Sequence, residues 1–336
     1  MRLNEALLKL PVEFSPDELA AEVNALPQSA WVPHPEKFPG NEAVPLISPG
    51  GAITNAISGR MAPTEFMRRC PYIQGILAAL GGPWGRSRLM GLGPGAQVPN
   101  HVDINYYWRT HLRIHIPVVT NPGVLFHCGG ETVHMKPGEC WTFDSFRQHR
   151  VENRGTERRI HLVVDTVGSE RLFDLVEAAR QNVPARRLSK DEVAGATPEF
   201  ERFNAPKVMS PWEVRSHVAY LADHVVPHPA LDRVMETLDR FATAWSGLWA
   251  QFADTDKGIA AYLRRIGQTR DELHAIPGGD EILLQNGWAL GQVLDRLVFL
   301  NAVAGIKPQQ LPSGAQGAAG RAGGAYASAG SARRAR

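Results

Sequence analysis

The sequence predicts an all-β core of the sandwich or barrel type, with a mixed segment before it and a helical domain after it. Residues 85–168 contain short strand-like runs separated by Gly, Pro and Asn, and evenly spaced runs of this kind are typical of antiparallel sandwiches and barrels. Residues 1–84 mix capped helices with Pro- and Gly-rich loops, whereas residues 169–306 show helical periodicity. The sequence therefore divides into three structured regions.

The composition is that of an ordinary globular protein. Of the 336 residues, 43% are hydrophobic and 21% are charged, and the net charge of +2 gives no reason to expect a nucleic-acid partner. No run approaches the roughly 18 to 20 apolar residues of a membrane span, and the N-terminal stretch lacks the apolar run of a signal peptide. Three scattered cysteines do not make a disulfide framework. We therefore expect a reduced, cytoplasmic protein with no membrane partner.

The N-terminal segment contains two helix signals. Residues 15–18 (SPDE) form a capping box with proline at the first helical position, which predicts a helix over about residues 16–26. Pro71 begins a second helix, PYIQGILAAL, which Gly81 and Gly82 end. We expect this segment, residues 1–84, to pack on the core.

Within the core, the run THLRIHIPVV has the clearest alternation. His111, Arg113 and His115 fall on one face of the predicted strand, and the intervening Leu and Ile residues fall on the other. Three side chains that can carry positive charge on one face indicate a polar barrel interior that holds an anion.

The C-terminal region predicts helices. Ser169 and Ser210 are N-cap candidates, and residues 229–252 repeat apolar side chains at helical spacing. Further helices are predicted at about 257–266, 269–275 and 279–303. This region carries no catalytic motif and could form a homodimer interface. The Gly/Ala/Arg tail, residues 307–336, cannot bury a core, and we expect it to be disordered.

A candidate metal site lies in the stretch PNHVDINYYW. His101 and Asp103 are two residues apart in extended backbone and so point to the same side. His149 is the best candidate for a third ligand, because a later strand of a double-stranded β-helix can return beside the first. Two histidines and one carboxylate form the facial triad of non-haem Fe(II) oxygenases. The alternative interpretation is two ordinary surface or core histidines.

A 2-oxoglutarate oxygenase also needs a buried cation for the distal carboxylate of this cosubstrate, and arginine is the usual choice. Arg158 and Arg159 open the run RIHLVVD, and only one of them can face inward. The pattern of the strand does not decide between them.

Several separated blocks in this region resemble one family. MGLGPGAQVPNHVD, HLRIHIPVV, FHCGGE, HMKPGECWTFDSFRQHRVEN and RIHLVVDT are together similar to the bacterial aspartyl/asparaginyl β-hydroxylases, which include free-proline hydroxylases. The resemblance covers roughly residues 30–168. It implies an all-β double-stranded β-helix (jelly-roll or cupin-like) catalytic core and an enzyme that uses Fe(II), 2-oxoglutarate and O2.

The resemblance also assigns residues to roles. His101, Asp103 and His149 would be the metal ligands and the catalytic centre, and Arg159, rather than Arg158, would bind the distal carboxylate of 2-oxoglutarate. Arg113 and His115 would hold the other end of this cosubstrate. Vertebrate members of the family lack the carboxylate ligand, whereas this chain has Asp103. A serine that touches the cosubstrate in some members is replaced here by Met90.

The expected reaction is hydroxylation of an sp3 C–H of an amino acid, either free or an Asp-, Asn- or Pro-type residue in a peptide or natural-product precursor, with release of succinate and CO2. Arg88 and His111 are candidates to bind a substrate carboxylate, and Asn105 and Trp108 could line the pocket mouth. Two alternatives remain open, a cupin-like Zn or Mn metalloenzyme and a non-enzymatic ligand-binding barrel. Arg159, together with Arg113 and His115, distinguishes the dioxygenase from the metalloenzyme, because only the dioxygenase needs to bind a dicarboxylate.

Overall fold

The fold was analysed in a computed structural model, which describes residues 3–33 and 38–304. The predicted disordered tail, residues 307–336, lies outside the described residues. The β-strands are β1 (Leu7–Glu13), β2 (Val32–Pro33), β3 (Asn41–Pro49), β4 (Met61–Pro63), β5 (Pro83–Leu92), β6 (Gln97–His101), β7 (Leu112–Val119), β8 (Val124–Cys128), β9 (Glu131–Val133), β10 (Glu139–Phe143), β11 (His149–Asn153), β12 (Arg159–Thr166), β13 (Arg186–Arg187) and β14 (Glu199–Phe200).

The α-helices are interspersed with these strands up to β14, and the described chain after β14 is mainly helical. They are α1 (Pro16–Asn24), α2 (Glu65–Arg68), α3 (Pro71–Leu80), α4 (Tyr106–Thr110), α5 (Glu170–Arg180), α6 (Lys190–Val193), α7 (Pro211–Ala222), α8 (Leu231–Phe252), α9 (Ile259–His274) and α10 (Leu290–Leu294). Short 3-10 turns occupy Gln28–Ala30, Asp256–Gly258 and Gly279–Glu281, and Asp295–Phe299 is a π-helical turn.

Two sheets form the core. In the described part of the chain, the larger sheet has ten strands in the order β13-β1-β10-β7-β12-β5-β3-β2, with β4 beside β3 and β14 beside β5. The smaller sheet has the order β6-β11-β8-β9. Consecutive strands such as β10, β11 and β12 alternate between the two sheets, which is the pattern of a double-stranded β-helix. The predicted fold class is confirmed.

The outer face of the larger sheet is apolar, and its inner face carries both charged and apolar side chains. Leu112, Ile114 and Ile116 of β7 join a buried core together with residues of α1 and α3. Alternate residues point to the other side, where a second apolar cluster includes Phe126 and Phe143. The period-2 alternation of β7 thus places Arg113 and His115 on the inner face, as the sequence predicts.

The N-terminal segment contributes strands to the larger sheet as well as helices that pack on it. β1 pairs with β10, and β3 pairs with β5. The first helix is confirmed at Pro16–Asn24, with the Ser15 hydroxyl accepting a hydrogen bond from the Glu18 amide. Pro71–Leu80 is also helical, as predicted.

The chain forms two compact units, and the division differs from the predicted boundary at residue 168. Among the described residues, the first unit contains 3–33, 38–103 and 107–205, and the second contains 104–106 and 206–304. Residues 169–205 stay with the barrel because β13 and β14 add to β1 and β5 in parallel. The Arg180 side chain of α5 also pairs with Glu5.

The second unit is helical, as predicted. The apolar stripe of α8 is buried, and Trp245 donates its indole N–H to the Met209 carbonyl. Two helix predictions are wrong in detail. The segments at 257–266 and 269–275 are the single helix α9. Residues 279–303 are not one helix, because a turn at Gly287 returns the chain so that Leu283 bridges Ala289.

Within residues 3–33 and 38–304, none of the helices is both long enough and apolar enough to cross a bilayer.

Candidate metal centre

The three predicted metal ligands meet at the edge of the smaller sheet. His101 ends β6 and His149 begins β11, and the two residues are direct partners in this antiparallel pair. One potential ligand atom from each of His101, Asp103 and His149 lies within 4.8 Å of the others. The imidazole centroids of His101 and His149 are 4.1 Å apart, and His101 Nε2 lies 4.0 Å from Asp103 Oδ1. The structure therefore brings the predicted triad together.

Hydrogen bonds orient both imidazoles for metal binding. Nδ1 of His101 lies 2.8 Å from the Pro99 carbonyl oxygen, and Nδ1 of His149 lies 2.9 Å from that of Arg147. A carbonyl oxygen can only accept, so each Nδ1 carries the proton and each Nε2 carries the lone pair. This is the arrangement in which metal-ligating histidines are held by their second nitrogen.

The electrostatics of the site keep the ligands in the protonation states that a metal requires. Burial, together with nearby His101, lowers the pKa of His149 to about 4, so its imidazole is neutral at physiological pH. Burial alone would raise the pKa of Asp103, but the positive charge of the Arg113 guanidinium beside it lowers this pKa instead. Asp103 is therefore a carboxylate at neutral pH.

Arg113 bridges two carboxylates. Its Nη1 donates to Asp103 Oδ2 at 3.0 Å, and its Nε donates to Asp165 Oδ1 at 3.0 Å. Burial would lower the pKa of Arg113, but Asp165 and Asp103 raise it, so the guanidinium stays charged. Its Nη2 is buried and has no hydrogen-bond partner among the described residues.

Trp108 covers two of the inner arginines. The guanidinium carbon of Arg113 lies 4.0 Å from the centroid of the Trp108 ring, and that of Arg86 lies 4.7 Å from it. Such cation–π contacts are stronger where the cation is desolvated, as it is here because Arg86 is buried. The Tyr107 hydroxyl fixes the same region by accepting the Arg86 amide N–H at 2.8 Å.

His115 lies deeper, in an aromatic environment. Its ring centroid is 5.3 Å from that of Phe126 and 5.4 Å from that of Phe143. Burial, with Arg159 and Arg113 nearby, holds the pKa of His115 well below its usual value, so the imidazole is neutral. Its Nδ1 is buried and without a hydrogen-bond partner in the part of the chain that the structure describes.

The structure separates Arg159 from Arg158. Arg158 lies outside, where it pairs with Glu42 at 2.9 Å and stacks over the Trp31 ring at 3.6 Å. Arg159 points inward and is 4% exposed, with no carboxylate within ion-pair distance among residues 3–33 and 38–304. Burial lowers the pKa of Arg159 to about 9, which still leaves it charged at neutral pH. A buried, unpaired cation of this kind requires an anion.

Arg88 is a second inner cation without a carboxylate partner in the described ranges. It is buried on β5, and its register places it beside Val163 of β12, which in turn lies beside His115. Burial and the proximity of Arg86 and Arg113 hold the pKa of Arg88 well below its usual value. The position agrees with the predicted strand parity.

The His111 side chain does not lie on the inner face of β7 but contacts other protein groups. His111 precedes β7, its Nδ1 lies 2.8 Å from the Tyr107 carbonyl oxygen, and its Nε2 lies 2.9 Å from Glu201 Oε1. Because both ring nitrogens face acceptor atoms of the protein, the interpretation of His111 as a ligand of a substrate carboxylate loses its basis. Asn105 lies in the short segment 104–106 that clusters with the helical unit, and its predicted role is not tested by the geometry of the barrel.

Two residues of this region were not predicted. Asp165 lies on the same inward face of β12 as Arg159 and His161, because the three residues occupy alternate positions of the strand. Its orientation could therefore have been predicted from the strand pattern. Glu201 could not, because it follows a two-residue strand that has no periodicity of its own. Its carboxylate reaches His111 from a segment about ninety residues away in sequence.

The part of the chain that contains the triad matches a known protein family. Residues 54–168 match the aspartyl/asparaginyl beta-hydroxylase family. That match includes all three triad residues and Arg159, and it confirms the resemblance seen in the sequence. A search of curated proteins finds no match to the chain.

Solved structures with a similar fold include a hydroxylase, an epimerase and a predicted decarboxylase. A Pseudomonas putida prolyl-4-hydroxylase is 14% identical over 48% of this chain and 92% of its own, with a TM-score of 0.34. The non-heme alpha-ketoglutarate-dependent epimerase SnoN from nogalamycin biosynthesis is 15% identical over 59% and 92%, with a TM-score of 0.35. A predicted oxalate decarboxylase from Thermotoga maritima is 18% identical over 40% and 89%, with a TM-score of 0.25.

Proposed function

We propose that the protein is an Fe(II)- and 2-oxoglutarate-dependent dioxygenase that hydroxylates an sp3 C–H of an amino acid. The amino acid would be free, or an Asp-, Asn- or Pro-type residue of a peptide or natural-product precursor. The observation that carries the proposal is the combination of the His101–Asp103–His149 triad with the buried, unpaired Arg159 on the inner face of the same barrel. Neither feature alone would distinguish a dioxygenase from another metal-binding barrel.

The donor set fits Fe(II). Two imidazoles and one carboxylate, with ligand atoms within 4.8 Å of one another, would leave three positions of an octahedral ion for other ligands. When bound, the iron together with 2-oxoglutarate and O2 supplies the oxidation that inserts one oxygen atom into a C–H bond, with succinate and CO2 as the other products.

Arg159 would bind the distal carboxylate of 2-oxoglutarate. Its guanidinium is desolvated and charged, and a planar fork of N–H groups matches a carboxylate in geometry. A carboxylate at this position would compensate the cost of burying the cation. The alternative of a cupin-like Zn or Mn enzyme gives no reason for such a cation, and for that reason we favour the dioxygenase.

The residues between Arg159 and the triad would hold the cosubstrate and keep water away. His115 is neutral and packed among aromatic rings, and Arg113 keeps Nη2 inside the barrel in addition to its bonds to Asp103 and Asp165. These two side chains are the predicted contacts for the other end of 2-oxoglutarate. The apolar cluster that contains Phe126 and Phe143 lowers the local dielectric constant and so strengthens the ionic contacts of Arg113 with Asp103 and Asp165.

A substrate carboxylate would bind Arg88. This buried cation lies on the inner face close to Arg86 and Arg113, and the charge of Asp165 compensates it in part. Trp108, stacked on two of these arginines, would form one wall beside the carboxylate. Free amino acids and acidic residues of peptides both provide such an anion, and the homodimer expected from the helical region stays a prediction.

The experiment that tests the proposal is a coupled turnover assay. Purified protein is incubated aerobically with Fe(II), ascorbate and 2-oxoglutarate, alone and with a panel of amino acids and short peptides, and succinate is quantified. We expect succinate above background and a several-fold stimulation by the correct substrate, with a product heavier by one oxygen atom. No stimulation by any member of a broad panel in metal-loaded protein would count against the enzyme, and equal activity of the His149→Ala variant would exclude this site.

A further inference from the structure

Arg113 is shared between the metal ligand Asp103 and the buried carboxylate of Asp165. The three groups form a chain in which Asp165 Oδ1 accepts from Nε and Asp103 Oδ2 accepts from Nη1, both at 3.0 Å. Asp165 and Arg113 are direct partners across β12 and β7, so the sheet fixes this contact. Asp165 is 2% exposed.

The contact with Asp103 is one-sided. Arg113 engages Oδ2 through a single N–H group, while the other oxygen, Oδ1, faces Nε2 of His101 at 4.0 Å. Oδ1 is therefore the oxygen placed to bind a metal, and Oδ2 is the oxygen that the protein holds. A metal bound through one oxygen of Asp103 keeps a coordination position open for other ligands.

This one-sided contact is not what an isolated arginine and carboxylate prefer. A guanidinium and a carboxylate tend to form two parallel hydrogen bonds that engage both oxygens. If Arg113 did so with Asp103, it would compete with the metal for Oδ1. Nε of Arg113 already donates to Asp165, and the Trp108 ring packs against the plane of the guanidinium at 4.0 Å. These two contacts fix the orientation of the guanidinium.

We propose that Asp165 is a positioning residue that holds Arg113 in a one-sided contact with Asp103 and so keeps Oδ1 available to the metal. The proposal rests on the metal site of the proposed function and adds a residue to it. Asp165 also faces Arg86 and Arg88, and its charge partly balances the row of inner arginines. Loss of the carboxylate would leave Asp103 as the nearest anion for Arg113.

The test is a calorimetric titration of metal-free protein with Mn2+ as the probe, without 2-oxoglutarate, so that turnover does not enter the measurement. We expect Asp165→Ala to weaken Mn2+ binding roughly 10- to 100-fold, the range that loss of an outer-shell partner usually costs. Asp165→Asn should keep most of the affinity, because its amide oxygen can still accept from Nε of Arg113.

The double variant Asp165→Ala/Arg113→Met separates misdirection of Arg113 from general loss of structure. If Arg113 captures Asp103 in the single variant, the double variant should bind Mn2+ within a few-fold of Arg113→Met alone, because Asp165 then has no guanidinium to position. The double variant also carries no unpaired buried arginine at this position, so it provides the test even if Asp165→Ala is not recovered folded. Circular dichroism and the thermal midpoint of each variant monitor folding.

The outcomes are distinct. Unchanged Mn2+ affinity in folded Asp165→Ala, or a folded double variant that binds Mn2+ at least 10-fold more weakly than Arg113→Met, overturns the role of Asp165. Absence of Mn2+ and Fe(II) binding by the wild-type protein instead overturns the proposed function itself. Weak binding by Asp165→Ala, near-normal binding by Asp165→Asn and equal binding by the double variant and Arg113→Met support the inference.

Discussion

Arg158 and Arg159 are consecutive in the chain, but their guanidinium groups lie on opposite sides of the larger sheet. Arg158 pairs with Glu42 and stacks over Trp31 on the outside, whereas Arg159 is buried inside the barrel with no carboxylate beside it among the described residues. The alternation of a β-strand creates this difference between two identical side chains, and it provides a matched pair of substitutions.

Arg159→Gln should weaken the binding of 2-oxoglutarate roughly 10- to 100-fold, because it removes a charged hydrogen-bond donor from a desolvated carboxylate. Arg158→Gln should leave this binding within a few-fold of the wild type. The measurement is a titration of the Mn2+-loaded protein with 2-oxoglutarate. Equal losses in the two variants would mean that Arg159 does not bind the cosubstrate.

Asp103→Ala should lower the affinity for Mn2+ by at least about 100-fold, since removing a direct ligand costs no less than removing an outer-shell partner. Asp174→Ala, on an exposed position of α5, is the control for loss of one carboxylate. Calorimetry of metal-free protein gives both affinities. Retention of Mn2+ binding by Asp103→Ala would remove Asp103 from the triad.

Two of the three metal ligands and the strands around them could be predicted because their signals are local. His101 and Asp103 lie on one face of an extended segment, and the alternation of β7 indicates which of its residues face inward. Capping residues set the start of α1 at Pro16. Each of these features depends on neighbours in sequence, and the structure agrees with each.

The boundary of the barrel could not be predicted in the same way. β13 and β14 are two residues long, too short for any periodicity, and they join the sheet through contacts with distant strands. Glu201 reaches His111 for the same reason. Gly287 and its turn interrupt the region predicted as one helix at 279–303, because the chain there folds back and the Leu284 amide donates to the Trp288 carbonyl oxygen.

Arg88→Met should raise the free energy of unfolding by about 1 kcal/mol or more, because it replaces a buried, uncompensated cation with an apolar side chain of similar length. The same variant should retain Mn2+ and 2-oxoglutarate binding but lose the stimulation of succinate formation by the substrate. Urea unfolding and the turnover assay measure the two effects. A destabilised Arg88→Met would indicate that Arg88 has a structural partner and is not kept for a ligand.

His111 and Glu201 should behave as a structural pair rather than as ligands of the substrate. Their side chains meet at 2.9 Å, both are buried, and the His111 ring stacks on Tyr107 with centroids 3.8 Å apart. Removing either partner leaves a buried polar group without its hydrogen bond, which costs about 1–3 kcal/mol.

A double-mutant cycle distinguishes the two roles. His111→Ala and Glu201→Ala should each lower the free energy of unfolding, and the double variant should lose less than the sum, because the two changes remove the same contact. Urea unfolding of the four proteins gives the coupling energy. Additive losses, together with a raised KM for the substrate in His111→Ala but not in Glu201→Ala, would instead restore His111 as a ligand of the substrate carboxylate.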